Sequence, residues 1–401
     1  MIDDRDLFER SVQRFAPADG SFERLVDRRD RKKRNQRIAA AVVGIAAALA
    51  VALTGASLIR SEPKPLNPTP TPSVRNGEIT VSDYPADGDG LRAIDPADGT
   101  VHLLVPCVQD CYETHGVEWS PDGTQLVYFE TSYEDPSLNG IYVLDIASGG
   151  TTSLAHCANT DGCVQDGLSW SPDGSRIAYP DRREIVLVDP DGSDRTTIPA
   201  RSSEGRVGVP SWSPDGSRIA YTEGDEIVVI DAAGSNPTTL PLGSFNVTSE
   251  LAWSPDGTQI AFSGSEGDVD RVYVMNLSGS GLTMLAEGSM YEGPRSPSWS
   301  PDGTQILYFA TPKEGDRWGS QVWVISPDGS NRNLLVDFAC CQDLYGGTWS
   351  PDGTKIAFVT IVDPDEPPYL YVMNADGSDL TKLIDSWGGP LWQPIPIGET
   401  S

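Results

Sequence analysis

The sequence predicts an all-β fold, a closed seven-bladed β-propeller, preceded by a single transmembrane helix and a short cytoplasmic helical tail. Three observations lead to this prediction. The pentapeptide WSPDG occurs six times, short β-rich runs separated by turn signals follow each copy, and an uncharged stretch lies near the N-terminus. A repeat of about 40–50 residues that holds four short strands is typical of propeller blades.

Residues 1–37 are predicted to be a cytoplasmic tail and residues 38–59 a transmembrane helix. Ile38–Ile59 contains no charged residue and would span roughly 33 Å as a helix, enough to cross the hydrocarbon core of a bilayer. Arg28–Arg37 carries seven basic residues and one acid, so the positive-inside rule places the N-terminus in the cytoplasm and the rest outside. The alternative is cleavage near Ala56, which would release a secreted or periplasmic protein.

Residues 60–77 are predicted to be an extracytoplasmic linker. Ser61–Ser73 contains five prolines, and as polyproline II it would reach roughly 40 Å. The remaining chain is strongly acidic: residues 61–401 hold 17 basic and 50 acidic side chains, a net charge of −33. Such a charge repels phosphate backbones, so a nucleic-acid partner is not expected.

The repeat count comes from the tryptophans, which we place at the end of the first strand (A) of each blade, before strands B, C and D. The motif tryptophans are Trp119, Trp170, Trp212, Trp253, Trp299 and Trp349, and Trp392 in "WQPIPI" follows at the same spacing. Before the first copy, Glu78–Asp83, Leu91–Asp95 and Thr100–Val105 supply strands B, C and D without an A. Because Pro390–Ile397 supplies an A with nothing after it, we expect the C-terminal strand to complete blade 1 and close the ring. The propeller then spans residues 78–397, with a C-terminal tail at 398–401.

The repeated WSPDG(T/S)(Q/R/K)(I/L) units and the "YVMNADGS"-like runs resemble the TolB-type β-propeller repeat. The resemblance covers residues 78–397, about four fifths of the chain. It implies the propeller fold but says little about activity, since such repeats occur in binding modules and in enzyme subdomains. The chain departs from TolB in its predicted membrane anchor and in the lack of the N-terminal α/β domain.

Every residue of the motif has a structural explanation. Proline suits the second position of the turn, aspartate the third, and glycine the positive φ that closes a hairpin with a one-residue bulge. The tryptophan is expected to be buried between blades, where its indole N–H needs a partner. The motif is therefore predicted to build blades rather than to bind a ligand.

The loop lengths indicate which face carries function. A–B and C–D connections are short and uniform, whereas B–C and D–A connections vary and emerge on the opposite face. Binding residues concentrate on variable loops of a rigid scaffold, so we expect the binding surface there. The aromatic and arginine residues of these loops are the candidate contacts: Tyr112, Tyr133, Tyr291, Arg317, Trp318 and Tyr345.

All six cysteines are assigned to D–A loops, in local pairs: Cys107 and Cys111, Cys157 and Cys163, and Cys340 and Cys341. An even number in an exported domain favours disulfides, with local pairing the simplest of the 15 connectivities. The rival interpretation is a zinc site, because His115 and His156 lie beside cysteines. Aspartate-rich strings such as Asp189–Asp194 lack the spacing of a calcium loop, and no metal or cofactor is predicted.

The sequence favours a membrane-tethered, non-catalytic module that binds a protein, a peptide or an envelope polymer. It contains no G-x-S-x-G nucleophile elbow and only three histidines, so no catalytic residue is predicted. One alternative is a membrane regulator whose propeller senses outside while residues 1–37 bind a cytoplasmic regulator. A zinc-type anti-sigma motif is excluded, because this tail has no Cys or His. The second alternative is a hydrolase or lyase that uses the propeller channel.

Overall fold

The computed structural model describes 74–82, 90–105, 111–132, 139–156, 167–201, 206–240, 242, 246–247, 251–267, 269–278, 280–289, 294–311, 313–314, 317–338, 344–363 and 366–396. The described part contains no helix with the length and apolar character of a membrane span. The predicted tail (1–37), transmembrane helix (38–59) and C-terminal tail (398–401) lie outside these residues, as does most of the predicted linker.

The described residues form seven blades of antiparallel strands, which confirms the predicted seven-bladed propeller. Blade 1 consists of β1 (Val74–Ser82), β2 (Leu91–Ile94), β3 (Val101–Val105) and β31 (Leu391–Pro396). Blade 2 consists of β4 (Cys111–Trp119), β5 (Gln125–Ser132), β6 (Gly140–Asp145) and β7 (Thr151–His156). Blade 3 consists of β8 (Ser169–Trp170), β9 (Ile177–Asp181), β10 (Glu184–Val188) and β11 (Thr196–Pro199). Blade 4 consists of β12 (Ser211–Trp212), β13 (Arg218–Glu223), β14 (Glu226–Asp231) and β15 (Thr238–Leu240).

The other three blades follow the same order, with two additions. Blade 5 consists of β16 (Asn246–Val247), β17 (Ala252–Trp253), β18 (Gln259–Glu266), β19 (Val269–Asn276) and β20 (Thr283–Ser289). Blade 6 consists of β21 (Arg295–Trp299), β22 (Ile306–Ala310), β25 (Ser320–Ile325) and β26 (Asn333–Phe338), with the small hairpin β23 (Lys313–Glu314) and β24 (Arg317–Trp318) in its B–C connection. Blade 7 consists of β27 (Leu344–Trp349), β28 (Lys355–Thr360), β29 (Tyr369–Asn374) and β30 (Thr381–Asp385).

The ring is closed by the C-terminal strand, as predicted. Strand β31 pairs antiparallel with β1, and Ile79 lies opposite Trp392. Each innermost strand contacts the innermost strand of the next blade around the ring, including β27 with β31 and β31 with β4. Closure leaves no unpaired end at the first and last blades.

Strand β1 begins at Val74, four residues before the predicted start of the propeller at Glu78. The difference arises from pairing with the last strand, because Val74, Arg75 and Asn76 lie opposite Pro396, Ile395 and Pro394. Residues 74–77 therefore belong to the propeller and not to the linker. Their pairing partner lies more than 300 residues away in sequence, so no local pattern indicates it.

The core lies between blades, where apolar faces of neighbouring sheets pack together. One cluster joins blades 6 and 7 through Phe309, Trp349 and Phe358. Another joins blades 7 and 1 through Ile79, Val359 and Trp392. Each blade thus buries both of its faces against its neighbours, and the interfaces between blades stabilise the ring.

Candidate functional site

The antiparallel order of strands gives the ring two different faces. We call the face with the A–B and C–D turns the SPDG face, after the turns at 120–123, 171–174, 213–216, 254–257, 300–303 and 350–353. The face with the B–C and D–A connections is called the variable face. This division follows from the sheet order A-B-C-D found in each blade.

Each SPDG turn is fixed by the same hydrogen bonds. In blade 6 the amide of Gly303 donates to the carbonyl of Ser300 at 2.9 Å, and Gly303 has a φ of 70°. The Asp302 carboxylate accepts from the Ser300 hydroxyl at 2.6 Å and from the Thr304 amide at 3.0 Å. Burial by itself would raise the pKa of Asp302, but these hydrogen bonds outweigh it and hold the pKa below its usual value. The carboxylate is thus engaged in the turn.

The seven predicted blade tryptophans are all buried, with 7% or less of each side chain exposed. The indole Nε1 of Trp170, Trp253, Trp299 and Trp349 donates across the interface to the backbone carbonyl of the residue before the tryptophan of the preceding blade. Trp119 instead donates to the hydroxyl of Thr80 at 3.1 Å. The indole nitrogens of Trp212 and Trp392 have no hydrogen-bond partner within the described residues.

The variable face is uneven. Blades 3 and 4 close their B–C hairpins with two-residue tips, Arg182–Arg183 and Gly224–Asp225. Blade 5 is taller, because β18 and β19 each run for eight residues. Blade 6 adds the hairpin of β23 and β24 in the same connection. A partner that approaches this face therefore meets low blades beside high ones.

Arg201 holds blades 3 and 4 together on the variable face. Its guanidinium contacts the carboxylates of Glu223 at 2.9 Å and Glu226 at 2.6 Å, and the hydroxyl of Thr239 at 2.7 Å. The Glu223 side chain is only 4% exposed. Burial alone would lower the pKa of Arg201, but the two carboxylates raise it above its usual value. The arrangement resembles a structural ion pair rather than a free ligand-binding group.

A second charged cluster lies in the tall hairpin of blade 5. The Arg271 guanidinium contacts Glu266 at 3.2 Å and Glu287 at 3.3 Å. A hydrogen bond with Tyr273, followed by that with Glu287, raises the pKa of Arg271. These contacts join β18, β19 and β20, so they stabilise the raised part of the blade.

Glu118 is a buried carboxylate that the sequence analysis did not single out. It lies on β4, is 5% exposed, and accepts a hydrogen bond from the backbone amide of Trp170 at 2.8 Å. The signal was present in the repeat: the residue before the blade tryptophan is uncharged in the other six positions, namely Ser169, Ser211, Ala252, Ser298, Thr348 and Leu391. A charged residue at a position that is otherwise neutral marks a specific contact between blades.

Strand A of blade 6 enters the ring through a strained bend. Ser296 has a positive φ of 58°, within a bulge between Arg295 and Ser298. Its amide donates to the Ser263 hydroxyl at 3.1 Å, and Arg295 donates to the buried hydroxyl of Thr311 at 2.7 Å. The first contact connects blades 5 and 6, and the second lies within blade 6.

The predicted contact residues are placed only in part. The backbones of Tyr112 and Tyr345 lie in β4 and β27, and those of Arg317 and Trp318 lie in β24, all in the D–A or B–C regions of the variable face. Their side chains lie outside the described part of the structure, as do Tyr133 and Tyr291 entirely. Whether these six residues form one surface stays a prediction.

The predicted disulfide cysteines lie almost entirely outside the described residues. Cys111 is the exception: its backbone is the first residue of β4, opposite Ser132, so it belongs to strand A and not to a loop. Among the side chains that are described, no group of three or more His, Cys, Asp or Glu could hold a metal ion. In the Asp189–Asp194 string, Asp191 accepts from Ser193 and Asp189 contacts Arg176 at 3.2 Å, so both carboxylates serve the turn.

Comparisons with known proteins agree with this architecture. The family model of the TolB β-propeller domain matches residues 180–338. No curated protein sequence matches the chain. An oligogalacturonate lyase from Vibrio parahaemolyticus is 15% identical with a TM-score of 0.57, over 78% of this chain and 86% of that one. A second oligogalacturonate lyase, in complex with manganese, is 16% identical with a TM-score of 0.56, over 79% and 86%.

TolB from Acinetobacter baumannii is 17% identical with a TM-score of 0.49, over 80% of this chain and 82% of that one. At 15% and 16% identity the two lyase structures show a shared fold and not a shared activity. The family match and the seven blades with their WSPDG turns lead to the same conclusion. Residues 180–338 match the TolB β-propeller domain family, and the described residues of the chain form seven propeller blades.

Proposed function

We propose that this protein is a membrane-tethered binding module without catalytic activity of its own. Its propeller lies outside the cell membrane, anchored through residues 38–59, and its variable face binds a protein, a peptide or an envelope polymer. In this proposal the six cysteines form local disulfides that stabilise the D–A connections of that face and the strand that begins at Cys111.

The observation that carries the proposal is the difference between the two faces. Six turns on the SPDG face repeat the same hydrogen bonds, whereas the variable face differs from blade to blade. Both ends of the ring also leave from the SPDG face: β1 begins there, where the Asn76 side chain accepts from the amide of Asp352 at 3.3 Å, and β31 ends beside Gly123. The linker is thus attached opposite the variable face and leaves that face open to a partner.

The charged groups of the variable face support binding over catalysis. Arg201 and Arg271 are each held between two carboxylates of their own chain. Such groups position loops and do not offer a reactive side chain to a substrate. Hairpins of unequal height on a closed ring are the kind of surface that recognises another macromolecule.

The test begins by identifying the partner. The full chain, anchored in membranes, is cross-linked and the captured partner is identified, and binding is then measured with the purified partner. In one variant residues 312–319 of the blade 6 B–C connection are replaced by the two-residue tip of blade 4, Gly224–Asp225, so that the buried Thr311 and Ser320 are kept. The matched control alters the SPDG face instead, with Asp191→Asn.

We expect the shortened blade 6 to lose at least about tenfold in affinity, because contacts in one part of an interface often carry most of its free energy. The control is expected to bind as the wild type does, and both variants should melt close to the wild-type temperature. Loss of binding in the SPDG-face variant alone would place the interface on the SPDG face and contradict the proposal. Turnover of an envelope substrate by the purified protein would contradict the non-catalytic assignment, and a partner that binds only residues 1–37 would favour the regulator.

A further inference from the structure

The exposed large hydrophobic side chains of the described residues share one end of the ring. They are Val101, Leu103, Leu282, Met284, Leu334, Leu380 and Ile395, each between 36% and 55% exposed. Six of them lie at or just before the beginning of a D strand, and Ile395 lies near the end of strand A in blade 1. A D strand begins after the C–D turn and an A strand ends at the A–B turn, so all seven lie on the side of the SPDG face.

These side chains also share one arc of the ring, formed by the consecutive blades 5, 6, 7 and 1. Strand pairing shows this at one equivalent position, where Leu103, Met284 and Leu334 lie opposite Arg92, Tyr273 and Trp323 of their C strands. In blade 7 the same position holds Lys382, opposite Tyr371, and in blades 2, 3 and 4 it holds the exposed residues Ser153, Thr197 and Thr239. The arc of blades 5, 6, 7 and 1, called the aliphatic arc, thus carries one basic side chain at this position, whereas the arc of blades 2, 3 and 4 is hydroxylated.

The chain enters the ring within the aliphatic arc. Strand β1 starts at Val74 in blade 1 on the SPDG face, paired with Pro396. Upstream lie the 14 residues 60–73 and then the uncharged stretch Ile38–Ile59. Fourteen residues of polyproline II reach about 43 Å, so a chain anchored by that stretch keeps the arc close to the bilayer and at a high effective concentration of lipid.

We propose that the aliphatic rim (Val101, Leu103, Leu282, Met284, Leu334 and Leu380) docks on the headgroup region of the membrane that anchors the chain. The proposal rests on the anchor of the proposed function. Contact along this arc tilts the ring, with blades 5, 6, 7 and 1 towards the lipid and blades 2, 3 and 4 away from it. The variable face of blades 2–4 is then the part that projects furthest into the extracytoplasmic space.

The charge of the chain favours one class of lipid. The rim itself carries both signs, since Asp98, Asp328 and Asp376 of the C–D turns and the basic side chains of Arg332 and Lys382 are all exposed beside the aliphatic side chains. The net charge of −33 over residues 61–401 repels anionic headgroups at distances within the Debye length of about 8 Å at physiological salt. The surface that fits the rim is therefore zwitterionic, with the aliphatic side chains supplying the attraction.

The experiment uses the full chain in phosphatidylcholine vesicles, with a protease recognition sequence introduced into the linker at 61–73. Alkaline extraction before cleavage reports on the anchor alone. After cleavage of the linker, the vesicles are sedimented and the fraction of propeller that remains bound is measured. The variant combines Leu103→Ser, Met284→Thr and Leu334→Thr, and the matched control combines Ser153→Thr and Thr197→Ser on the hydroxylated arc.

We expect the wild type and the control to remain bound after cleavage and the variant to partition at least about fivefold more weakly, because three exposed aliphatic side chains are replaced by polar ones. Anionic lipid should weaken the binding of all three proteins. Equal release of the wild type and the variant, from chains that resisted extraction, would overturn the proposal. If alkaline treatment extracts the full chain before cleavage, the membrane anchor of the proposed function is contradicted. The fraction of cleaved propeller that stays on the vesicles still measures docking by the rim.

Discussion

The indole Nε1 of Trp299 donates a hydrogen bond to the backbone carbonyl of Ala252 at 3.1 Å, across the interface between blades 5 and 6. Three other blade tryptophans make the same bond to the preceding blade. The WSPDG motif therefore does two things: its turn shapes one blade, and its tryptophan fastens that blade to its neighbour. This relationship gives the first of five predictions.

Trp299→Phe should destabilise the fold more than Trp212→Phe. Both changes remove a buried indole N–H and a similar apolar area, but only Trp299 has a hydrogen-bond partner within the described residues. Removing Trp299 leaves the Ala252 carbonyl without this donor, so we expect an additional cost of about 1–2 kcal/mol in the free energy of unfolding. Urea denaturation of the two variants measures it, and equal costs would show that the bond contributes nothing.

The SPDG turns should weaken in acid. The pKa of Asp302 and of its five equivalents is lowered in the folded state. An aspartate whose pKa is lower in the folded protein than in the unfolded chain, where it is about 3.9, stabilises the fold at pH values above about 3.9. This stability is lost as the pH falls through the pKa of the folded state. The melting temperature should therefore drop steeply below about pH 4. Asp302→Asn should reduce that pH dependence.

The two carboxylates that contact Arg201 should differ in importance. Glu223→Gln is expected to cost about 2–3 kcal/mol, because the Glu223 side chain is buried and the change leaves a partly buried guanidinium without its buried carboxylate partner. Glu226→Gln should cost less than about 1 kcal/mol, since that side chain is 55% exposed. Chemical denaturation of both variants provides the comparison. A larger effect at Glu226 would contradict the assignment of Glu223 as the buried partner.

The last strand should be indispensable while the residues after it are not. Deleting residues 391–401 removes β31, leaves β1 with an unpaired edge and exposes the core between blades 7 and 1. We expect the ring to lose cooperative unfolding, and Trp392→Ala alone to cost about 3–5 kcal/mol. Deleting only residues 397–401 is the control, and its melting temperature should match that of the wild type. An intact melting transition without β31 would refute closure by this strand.

The cysteines give a prediction that depends on chemistry alone. If Cys107, Cys111, Cys157, Cys163, Cys340 and Cys341 form disulfides, the unreduced, denatured protein from an oxidising compartment should contain no free thiol. Mass spectrometry after alkylation counts them, with the reduced protein as the control. Six free thiols would leave the zinc interpretation as the better account.

The seven blades could be predicted because the repeat is local. A tryptophan and a turn recur at similar spacing, and the unmatched strands at the two ends of the propeller imply closure. The start of β1 at Val74 could not be predicted, because Val74–Asn76 pair with residues 394–396 at the other end of the chain. The same reason applies to Arg201, whose partners Glu223 and Glu226 meet it only after two blades have packed.

The site was predicted only to the level of a face. Loop variability indicated the variable face, and residue type then selected aromatic and arginine side chains. That selection passed over Glu118, whose function is to bind the amide of the next blade. Comparing each repeat position across the seven copies would have found Glu118, because the residue before the blade tryptophan is uncharged in the other six copies.

Closure by the last strand also sets an order of events in time. During synthesis β1, β2 and β3 emerge first, yet the strand that pairs with β1 is made last. Blades 2–6 can pack as they are synthesised. Strand β1 of blade 1 keeps an unpaired edge until β31, the last strand, has been synthesised. The ring therefore closes only after synthesis of the last strand, and a chain that ends before β31 exposes the unpaired edge of β1.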